Sequence, residues 1–292
     1  MFKYLSFLVI LSIGINMANA QDCITGVVKS SETKEPIPFA YILSTDGSLI
    51  TFADVNGNFC IKDSVADCII YCMGYDSLLV DKLKFAGADY CLNPKHYAIE
   101  EVEVISSKLQ PYTVMLQKEK VFPWTKVLGH YYSYGSIHTK LIKGNGTRGR
   151  LKKVFVYTTD TGEPFSYFRI KLYKNENGQL GEEVTPSNII AKGAPNKSIL
   201  IDVANLNIFF PPEGLFVGME IIDEGNQAYV RYWGAQKNIK RTHYGPSLGS
   251  VFPKQPNNES VYSFNQYKKI WVKELGYIPL ISAEVTYFKK KK

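Results

Sequence analysis

The sequence predicts an all-β protein made of two β-sandwich domains. Its 292 residues include 20 Tyr and 16 Phe, and short runs rich in Val, Ile and Thr are separated by Gly, Pro and Asn. These residue types favour strands and the turns between them. Few stretches place apolar residues at the three- and four-residue spacing of an amphipathic helix, which favours strands over helices throughout the chain.

The distribution of charge indicates where the two domains meet. Residues 21–105 hold 6 Lys and Arg against 13 Asp and Glu, whereas residues 106–292 hold 27 against 14. This change of sign predicts an acidic domain over 22–105, a linker over 106–125 with a short helix, and a basic domain over 126–292. The basic surface is interpreted as a solvated face, with attraction to an acidic partner as the alternative.

The first 20 residues have the pattern of a secretory signal peptide. Lys3 precedes an apolar run from Leu5 to Ile15, and Ala18-Asn19-Ala20 forms a small-x-small cleavage site. An uncleaved anchor is the alternative, but the run is shorter than the roughly 20 apolar residues of a membrane-spanning helix. Cys23 follows Asp22, not a small residue, which argues against a lipid anchor. We therefore predict export to the periplasm or outer-membrane surface, with no membrane-spanning segment in the mature chain.

Strand and turn signals follow one another through the acidic domain. Ile24 to Val28 alternates as a half-buried strand should, and Phe39 to Leu43 is predicted to be the second strand. Asn56-Gly57 is typical of a type I′ hairpin turn, in which both central residues have positive φ. Ile69 to Met73 and Ile99 to Val104 are the later predicted strands.

All five cysteines lie in the acidic domain, and they are Cys23, Cys60, Cys68, Cys72 and Cys91. Cys68 and Cys72 share one face of a predicted strand about 13 Å apart at ~3.3 Å per residue, which is too far for a bridge between them. We expect buried thiols with at most one bridge, and at least one cysteine that stays free or pairs with another chain because the count is odd. The spacing is not that of a zinc site.

Five short motifs occur in order in the acidic domain: Ile24-Thr25-Gly26-Val27-Val28, Pro36-Ile37-Pro38-Phe39-Ala40, Asp54-Val55-Asn56-Gly57-Asn58-Phe59, Met73-Gly74-Tyr75, and Ile99-Glu100-Glu101-Val102-Glu103-Val104. Their order resembles the carboxypeptidase-regulatory-like domain, a transthyretin-like Greek-key sandwich used widely in the cell envelope of Bacteroidetes-type bacteria, where it often precedes an outer-membrane receptor barrel. The resemblance implies a fold and a compartment. It implies no catalytic residues and no cofactor.

The basic domain is predicted to contain eight or nine strands, arranged as a jelly-roll-like sandwich. Phe168, Ile170 and Leu172 alternate on one face of a strand, and a later strand places Leu215, Val217, Met219 and Ile221 on its core face. The remaining predicted strands are Val154–Tyr157, Ile199–Val203, Leu206–Phe209, Tyr229–Trp233, Val261–Phe264, Lys269–Val272 and Ile281–Phe288. The domain also resembles a sandwich module that follows the same N-terminal domain in other Bacteroidetes secreted proteins, to which no activity attaches.

The acidic and histidine residues of the basic domain do not form a catalytic or metal-binding pattern. Glu220 and Asp223 are three residues apart on a strand and so face opposite sides, whereas a glycosidase needs two carboxylates across a cleft. His130, His138 and His243 lack metal-ligand spacing and are expected at the surface. We therefore predict no catalytic residues, no cofactor and no metal, with a hydrolase that uses Glu220 as the remaining alternative.

Aromatic and cationic residues concentrate in two segments, the strand 229–233 and a predicted loop 241–246. Ring faces can stack on the CH groups of a sugar, and a guanidinium binds carboxylates in a forked pair. The predicted ligand-binding residues are Tyr232, Trp233, Arg241, His243 and Tyr244. The alternative is that the strand residues are core and the loop is an ordinary loop.

These patterns predict a non-catalytic accessory or scaffold protein of the cell envelope. A cell-envelope glycan is the first ligand class. The alternative is a protein–protein adaptor for an outer-membrane receptor or secretion system. Nucleic acid is not an expected partner, because the compartment holds none and basic runs are unspecific.

Overall fold

The computed structural model describes residues 23–62, 67–81, 87–95, 109–117, 127–129, 133–223, 228–233, 239–253 and 259–290. These residues form strands, turns and one three-residue 3₁₀ helix, Ala204–Leu206, so the predicted all-β class is confirmed. No helical segment within the described part of the chain has the length and apolar character needed to cross a bilayer. The predicted signal peptide and the predicted strand 99–104 lie outside the described residues.

The first domain is a sandwich of two small sheets. One sheet has the order β4-β1-β7 and the other β3-β2-β5-β6. Its strands are β1 (Cys23–Ser30), β2 (Tyr41–Ser44), β3 (Leu49–Phe52), β4 (Asn58–Lys62), β5 (Cys68–Tyr71), β6 (Leu78–Val80) and β7 (Asp89–Leu92). The core between the sheets includes Val28, Ile42, Phe59, Ile61 and Ile70, each at most 4% exposed. Alternation in β1 and β5 predicted this inward face.

The Asp54–Asn58 turn differs from the predicted hairpin. β3 and β4, which it joins, belong to different sheets, so the turn is a corner between the layers. Gly57 has φ +75°, but Asn56 has no positive φ, so the type I′ prediction is wrong. The Asp54 carboxylate accepts the backbone N–H groups of Asn56 and Asn58 at 2.8 Å each, and this local bonding fixes the corner.

The bonding of four cysteines is described, and one of them is bridged while three are free. Cys60 is disulfide-bonded, and Cys68, Cys72 and Cys91 are free. Cys68 and Cys72 are both buried and unbonded to each other, as their strand spacing predicted. Burial raises the pKa of each of these two thiols to about 11.

The second domain consists of two larger sheets and a separate two-stranded ribbon. Its strands are β8 (Leu109–Leu116), β9 (Val127–Gly129), β10 (Ile137–Ile142), β11 (Gly149–Gly162), β12 (Tyr167–Glu176), β13 (Gln179–Glu183), β14 (Ile189–Lys192), β15 (Lys197–Asp202), β16 (Phe209–Phe210), β17 (Leu215–Ile221), β18 (Ala228–Trp233), β19 (Ile239–Tyr244), β20 (Pro246–Val251), β21 (Val261–Asn265), β22 (Ile270–Lys273), β23 (Ile278–Pro279) and β24 (Ile281–Lys290). This number exceeds the predicted eight or nine, because several strands are too short to show alternation.

The main core of this domain lies between the two large sheets. One sheet has the order β13-β12-β17-β10-β21-β22 with β14 also paired to β12, and the other has β23-β20-β11-β24-β8 with β15, β16 and β9 as side branches. Phe168, Ile170 and Leu172 of β12 are fully buried in this core, as predicted. Leu215, Val217, Met219 and Ile221 of β17 lie beside them, also as predicted.

Two segments take structures that were not expected. Residues 109–116, placed in a linker with a short helix, form β8, which pairs antiparallel with β24 along its whole length. Pro111 obscured this strand, but a proline is tolerated here because β8 is an edge strand. The stretch predicted as a strand over Leu206–Phe209 is mostly the end of the 3₁₀ helix and a turn, with only Phe209 reaching β16.

The seven-stranded sheet is strongly curled. Tyr173 on β12 and Trp271 on β22 have three strands between them, yet their ring centroids are 5.3 Å apart. In a flat sheet these strands would be about 19 Å apart at ~4.8 Å per strand. The face that carries these rings is therefore concave. Gly218 lies on this face, and a Cβ there would be 2.8 Å from Thr139 Cγ2, so glycine permits the tight crossing.

Candidate functional site

The first domain packs onto one end of the concave face through a buried ion pair. Arg169 on β12 and Glu220 on β17 are register partners, and Arg169 Nη1 donates to Glu220 Oε2 at 2.8 Å. Their side chains are 0% and 3% exposed. The Tyr41 hydroxyl of the first domain donates to the same Glu220 oxygen at 2.5 Å. A buried carboxylate thus receives donors from both domains.

The Arg169 guanidinium also binds the first domain through its backbone. Its Nη2 donates to the Phe39 carbonyl, and its Nε donates to Asn188 Oδ1 at 2.8 Å. Asn188 in turn donates to the Pro38 carbonyl at 2.7 Å. The guanidinium carbon lies 4.3 Å from the centre of the Tyr41 ring, within cation–π range. We use the name junction network for six residues: Pro38, Phe39, Tyr41, Arg169, Asn188 and Glu220.

The pKa directions agree with this geometry. Burial raises the pKa of Tyr41 well above its usual value of 10; Arg169 opposes that shift and Glu220 adds to it. Burial by itself lowers the pKa of Arg169, but Tyr41 and Glu220 outweigh that effect and the pKa is raised. Arg169 therefore stays charged and Tyr41 stays neutral across the physiological range.

A second charged pair and an apolar shell surround the junction network. Lys171 Nζ lies 3.0 Å from Glu183 and 3.5 Å from Met73 Sδ of the first domain. The shell is a cluster that draws residues from both domains: Phe39, Tyr41, Phe52, Met73 and Ile222, with Leu43, Leu49, Tyr71, Tyr134, Tyr167 and Ile190 packed against them. The alternation of β12 had suggested a solvent face for Arg169 and Lys171, and the first domain covers it instead.

Glu220, the carboxylate considered for a hydrolase, is therefore held by Arg169 and Tyr41 inside the junction. The Glu220 side chain is only 3% exposed, and Asp223 lies beyond the end of β17. The described residues contain no group of three or more His, Cys, Asp or Glu placed to hold a metal ion. The contacts of Glu220 connect the two domains and therefore have a structural role.

A groove of about 880 Å³ opens beside the junction network. On the first domain it is lined by parts of β1, β3 and β4, with Asp54 and Gly87, and on the second domain by Asp223 and Tyr244. Strand β3 pairs only with β2, and β4 only with β1, among the described residues. The groove thus lies along two sheet edges of the first domain and under the base of the β18–β19 ribbon.

Tyr244 brings an aromatic ring to this groove. It packs edge-to-face on Tyr134, with ring centroids 5.1 Å apart and planes at 85°. Burial, and then the charge of Asp223, raises the pKa of the Tyr244 hydroxyl. The ring is held in a fixed orientation by Tyr134 and remains partly open to solvent.

The polar side chains of the groove carry two carboxylates, hydroxyls and the Asn58 amide, which donates to the Asp54 carboxylate at 3.1 Å. Asp54, Asp223, Thr51 and Asn58 line it, and its described lining residues include no Lys or Arg. An aromatic ring with carboxylates, an amide and hydroxyls around it matches the apolar faces and hydroxyl groups of a sugar. The arrangement suits a neutral or amino-substituted ligand better than an anionic one, because two carboxylates repel an anion.

The predicted ligand residues all fall on the ribbon, in a structure that differs from the predicted loop. Residues 241–244 belong to β19, which pairs antiparallel with β18. Trp233 pairs with Ile239, Arg241 with Arg231, and His243 with Tyr229, so these three ligand residues occupy one set of alternate positions. Tyr232 and Tyr244 occupy the other set. Only the side chain of Tyr244 is described, and it lines the groove.

His138 is not at the surface as expected. It is 8% exposed, and its Nδ1 is 2.7 Å from the Tyr277 hydroxyl. On the neighbouring strand, the Ser263 hydroxyl donates to Glu274 at 2.5 Å. These bonds attach the segment after β22 to β10 and β21. His130 lies outside the described residues, as does the side chain of His243.

Sequence reasoning missed Tyr41, Arg169 and Asn188. One signal was available for the ion pair. Glu220 is the charged residue of the otherwise apolar strand β17, and Arg169 lies between the apolar residues Phe168 and Ile170 of β12. Opposite charges on two core strands indicate a buried pair, but the register that joins them is a tertiary property.

No family model matches the chain, and no curated protein matches it. The structure is similar to the cysteine protease and lectin-like domains of Cwp84, a surface layer associated protein of Clostridium difficile, at 10% identity and a TM-score of 0.37 over 85% of this chain. A second clostridial Cwp84 structure, after propeptide cleavage, has 11% identity and a TM-score of 0.36 over 83% of this chain. A structure of infectious bursal disease virus, Gt strain, has 9% identity and a TM-score of 0.26 over 90% of this chain. This chain spans 57%, 60% and 58% of those chains, respectively. Likeness at this level assigns no function.

Proposed function

We propose that this chain is a non-catalytic accessory or scaffold protein of the cell envelope, and that it binds a glycan in the groove between its two domains. The observation that carries the proposal is the groove itself, where the fixed ring of Tyr244 stands among carboxylate, amide and hydroxyl groups. Sugars offer an apolar ring face and many hydroxyls, and this lining provides a partner for each.

The junction network supports a binding role for the groove. Two domains joined by a flexible linker would leave a groove of variable width. Here the buried pair of Arg169 and Glu220, with Tyr41, fixes one domain against the other. A pre-formed site binds with less loss of conformational freedom than one that must assemble.

The proposed compartment rests on two separate observations. The disulfide at Cys60 suits an oxidising environment, such as the bacterial periplasm or cell surface. The ordered motifs of the acidic domain resemble an envelope domain of Bacteroidetes-type bacteria, and the first 20 residues resemble a signal peptide. Both favour secretion across the inner membrane.

The charge of the groove indicates the class of glycan. The second domain is basic overall, which by itself favours acidic polymers. Nearby charges decide local affinity more than distant ones at physiological salt, where the Debye length is ~8 Å. Asp54 and Asp223 line the groove, so the proposed ligands are neutral or amino sugars.

Calorimetric titration of the mature protein with matched neutral, amino and uronic-acid oligosaccharides tests this function. We expect binding of the first two classes, weakened at least about tenfold by Tyr244→Ala, equivalent to ~1.4 kcal/mol. Leu200→Ala, at an exposed position on β15, is the control and should bind normally. Trp233→Ala and Arg241→Ala show whether the ribbon shares the site. Absence of binding to all three classes, or full binding by Tyr244→Ala, refutes the proposal.

An adaptor role is the second candidate. It is favoured by four exposed apolar side chains in one segment, those of Tyr267, Ile270, Val272 and Leu275. An exposed apolar surface of this kind is typical of a protein–protein contact.

A further inference from the structure

Tyr267 is the most exposed large apolar side chain among the described residues, with 74% of its surface open to solvent. It lies in the turn that joins β21 to β22. A ring as exposed as this contributes little to the core, whereas tyrosine is enriched in binding sites because its apolar face ends in a polar hydroxyl. What the ring can contact depends on where this turn lies relative to the groove.

The β21–β22 turn is attached to the first domain just before β3. Lys269 Nζ donates to the Ser48 hydroxyl and lies 3.7 Å from the Asp46 carboxylate. Within the turn, the Lys268 N–H donates to Asn265 Oδ1 at 2.9 Å. The turn that carries Tyr267 is therefore ordered by its own bond and held against the other domain by a second set.

The start of β3 is also where one wall of the groove begins. Residues 50–52 of β3 line the groove. A Cβ on Gly135 would lie 3.1 Å from Leu49 Cδ2 and 3.2 Å from Gln266 Cδ, so the turn at Gly135 packs between these two side chains. The β21–β22 turn, the turn at Gly135 and the start of β3 therefore meet at one end of the groove.

Tyr134 connects this end of the groove to the ring of Tyr244. It packs edge-to-face on Tyr244, which lines the groove, with ring centroids 5.1 Å apart. Burial, and then the nearby Tyr267, raises the pKa of the Tyr134 hydroxyl. Burial is also the largest cause of the raised pKa of Tyr244, and Tyr267 adds to it. The three tyrosines are thus electrostatic neighbours, and Tyr267 is the exposed one of the group.

The groove has room for more than one sugar ring. Its volume of about 880 Å³ lies near the upper end of the ~300–1,000 Å³ range of small-molecule sites. Its wall from Ile50 to Asp54 is at most about 13 Å long at ~3.3 Å per residue, which exceeds the length of one pyranose. Tyr267 lies at the end where Ile50 begins this wall, so a chain that follows the wall past Ile50 meets its ring.

We propose that Tyr267 is a second stacking platform of the groove, and that the groove binds a chain of two or more neutral or amino sugars instead of a single sugar. One sugar stacks on Tyr244 inside the groove, and a later sugar stacks on Tyr267 at its end. This inference rests on the proposed glycan-binding function and specifies the class of glycan. Once the first sugar is bound, the second contact is intramolecular, so affinity increases with chain length.

The probes are glucose and glucosamine, each as the single sugar and as β-1,4-linked chains of two and four. Calorimetric titration into the mature protein, with ligand-observed NMR for the weakest members, gives the affinities. We expect the chain of four to bind at least tenfold more tightly than its single sugar. Tyr267→Ala should weaken the chain of four by about three- to tenfold, as loss of one aromatic contact allows, and leave the single sugar unchanged.

Three variants separate ring stacking from other effects. Tyr267→Phe retains the ring and should bind every chain normally. Ile270→Ala removes another exposed apolar side chain close in sequence and is the matched control, with no expected effect. Tyr244→Ala should weaken single sugars and chains alike, because its ring lies in the groove itself. Circular dichroism of each variant checks that the fold is intact.

Failure of this inference is distinguishable from failure of the proposed function. Four results overturn the inference while sugar binding, and with it the proposed function, persists. They are equal affinity for single sugars and chains, unchanged affinity in Tyr267→Ala, an equal loss in Ile270→Ala, and an equal loss for the single sugar in Tyr267→Ala. If neither series binds at any length, the groove does not take neutral or amino sugars, and both fail.

Discussion

Arg169→Met removes the cation from the junction network and leaves Glu220 in a buried site without its ion-pair partner. Methionine has a similar length, so the loss is mainly electrostatic. Removing one partner of a buried ion pair destabilises a protein by about 3–5 kcal/mol, because the remaining charge is uncompensated. The Phe39 carbonyl and Asn188 also lose their donor. A protein of ordinary stability, about 5–15 kcal/mol, would lose a third or more of its free energy of unfolding.

The double variant Arg169→Met/Glu220→Met separates charge from packing. Replacing a whole buried pair by apolar side chains is often neutral or stabilising. The double variant should therefore be more stable than Arg169→Met alone by about 3 kcal/mol or more. Tyr41→Phe, a milder change, should cost about 1.5–3 kcal/mol, the range for hydrogen bonds to charged groups.

Urea denaturation of the mature protein, followed by circular dichroism and tryptophan fluorescence, measures these values. Lys153→Met is the matched control, because Lys153 forms a 2.9 Å pair with Glu284 on partly exposed strands. Such pairs contribute about 0–1 kcal/mol. A free energy of unfolding for Arg169→Met within 1 kcal/mol of the wild type would contradict the reasoning, as would a double variant no more stable than the single one.

Three further predictions follow from described contacts. Burial raises the pKa of Tyr41 above 10, so the native state keeps this proton to a higher pH than the unfolded chain does. The contribution of Tyr41 to stability should therefore be constant below about pH 10 and fall above it. Urea titrations at several pH values should show a smaller fall in Tyr41→Phe. Gly218→Val would place a Cβ 2.8 Å from a methyl carbon of β10 and should lower the free energy of unfolding, measured in urea, by about 1–3 kcal/mol. Gly276→Ala, with open space around it, should not. In the native protein a thiol reagent should modify exposed Cys91 quickly and buried Cys72 only on unfolding; equal rates by mass spectrometry would show the packing to be wrong.

Alternation was a reliable guide to one face of the central strands. Phe168, Ile170 and Leu172 lie in the main core as their spacing predicted, and so does Met219. The opposite face was missed because a strand's pattern reports only the polarity of its residues. Arg169 is as polar as a solvent-facing residue, and it is buried because a separate domain supplies its acceptors.

The edges and ribbons were harder to predict for a different reason. β8 contains Pro111, and β19 contains Arg241 and His243, so neither has the composition of a core strand. Each forms because a neighbouring strand provides a hydrogen-bonding ladder: β24 for β8, and β18 for β19. Pairing of this kind depends on residues distant in sequence, which composition and spacing do not report.

For the groove, the sequence located one wall and not the other. The aromatic and cationic residues at 232–244 pointed to the ribbon, and Tyr244 does line the groove. The facing wall comes from β1, β3 and β4 of the other domain, whose residues show no ligand signal of their own. A site formed between two domains leaves no local sequence pattern, because neither domain contains the complete site.

The junction network also bears on how the first domain could be moved between proteins. Arg169 and Asn188 contact that domain at the carbonyl oxygens of Phe39 and Pro38, atoms present whatever side chains stand there. Within the described residues, Tyr41 is the side chain of that domain that bonds to the ion pair, while Phe52 and Met73 add apolar side chains to the shell around it. A designer who wished to graft this acidic domain onto another sandwich would therefore need an arginine–glutamate register pair on the recipient, an amide beside it, and an apolar surface to receive those side chains.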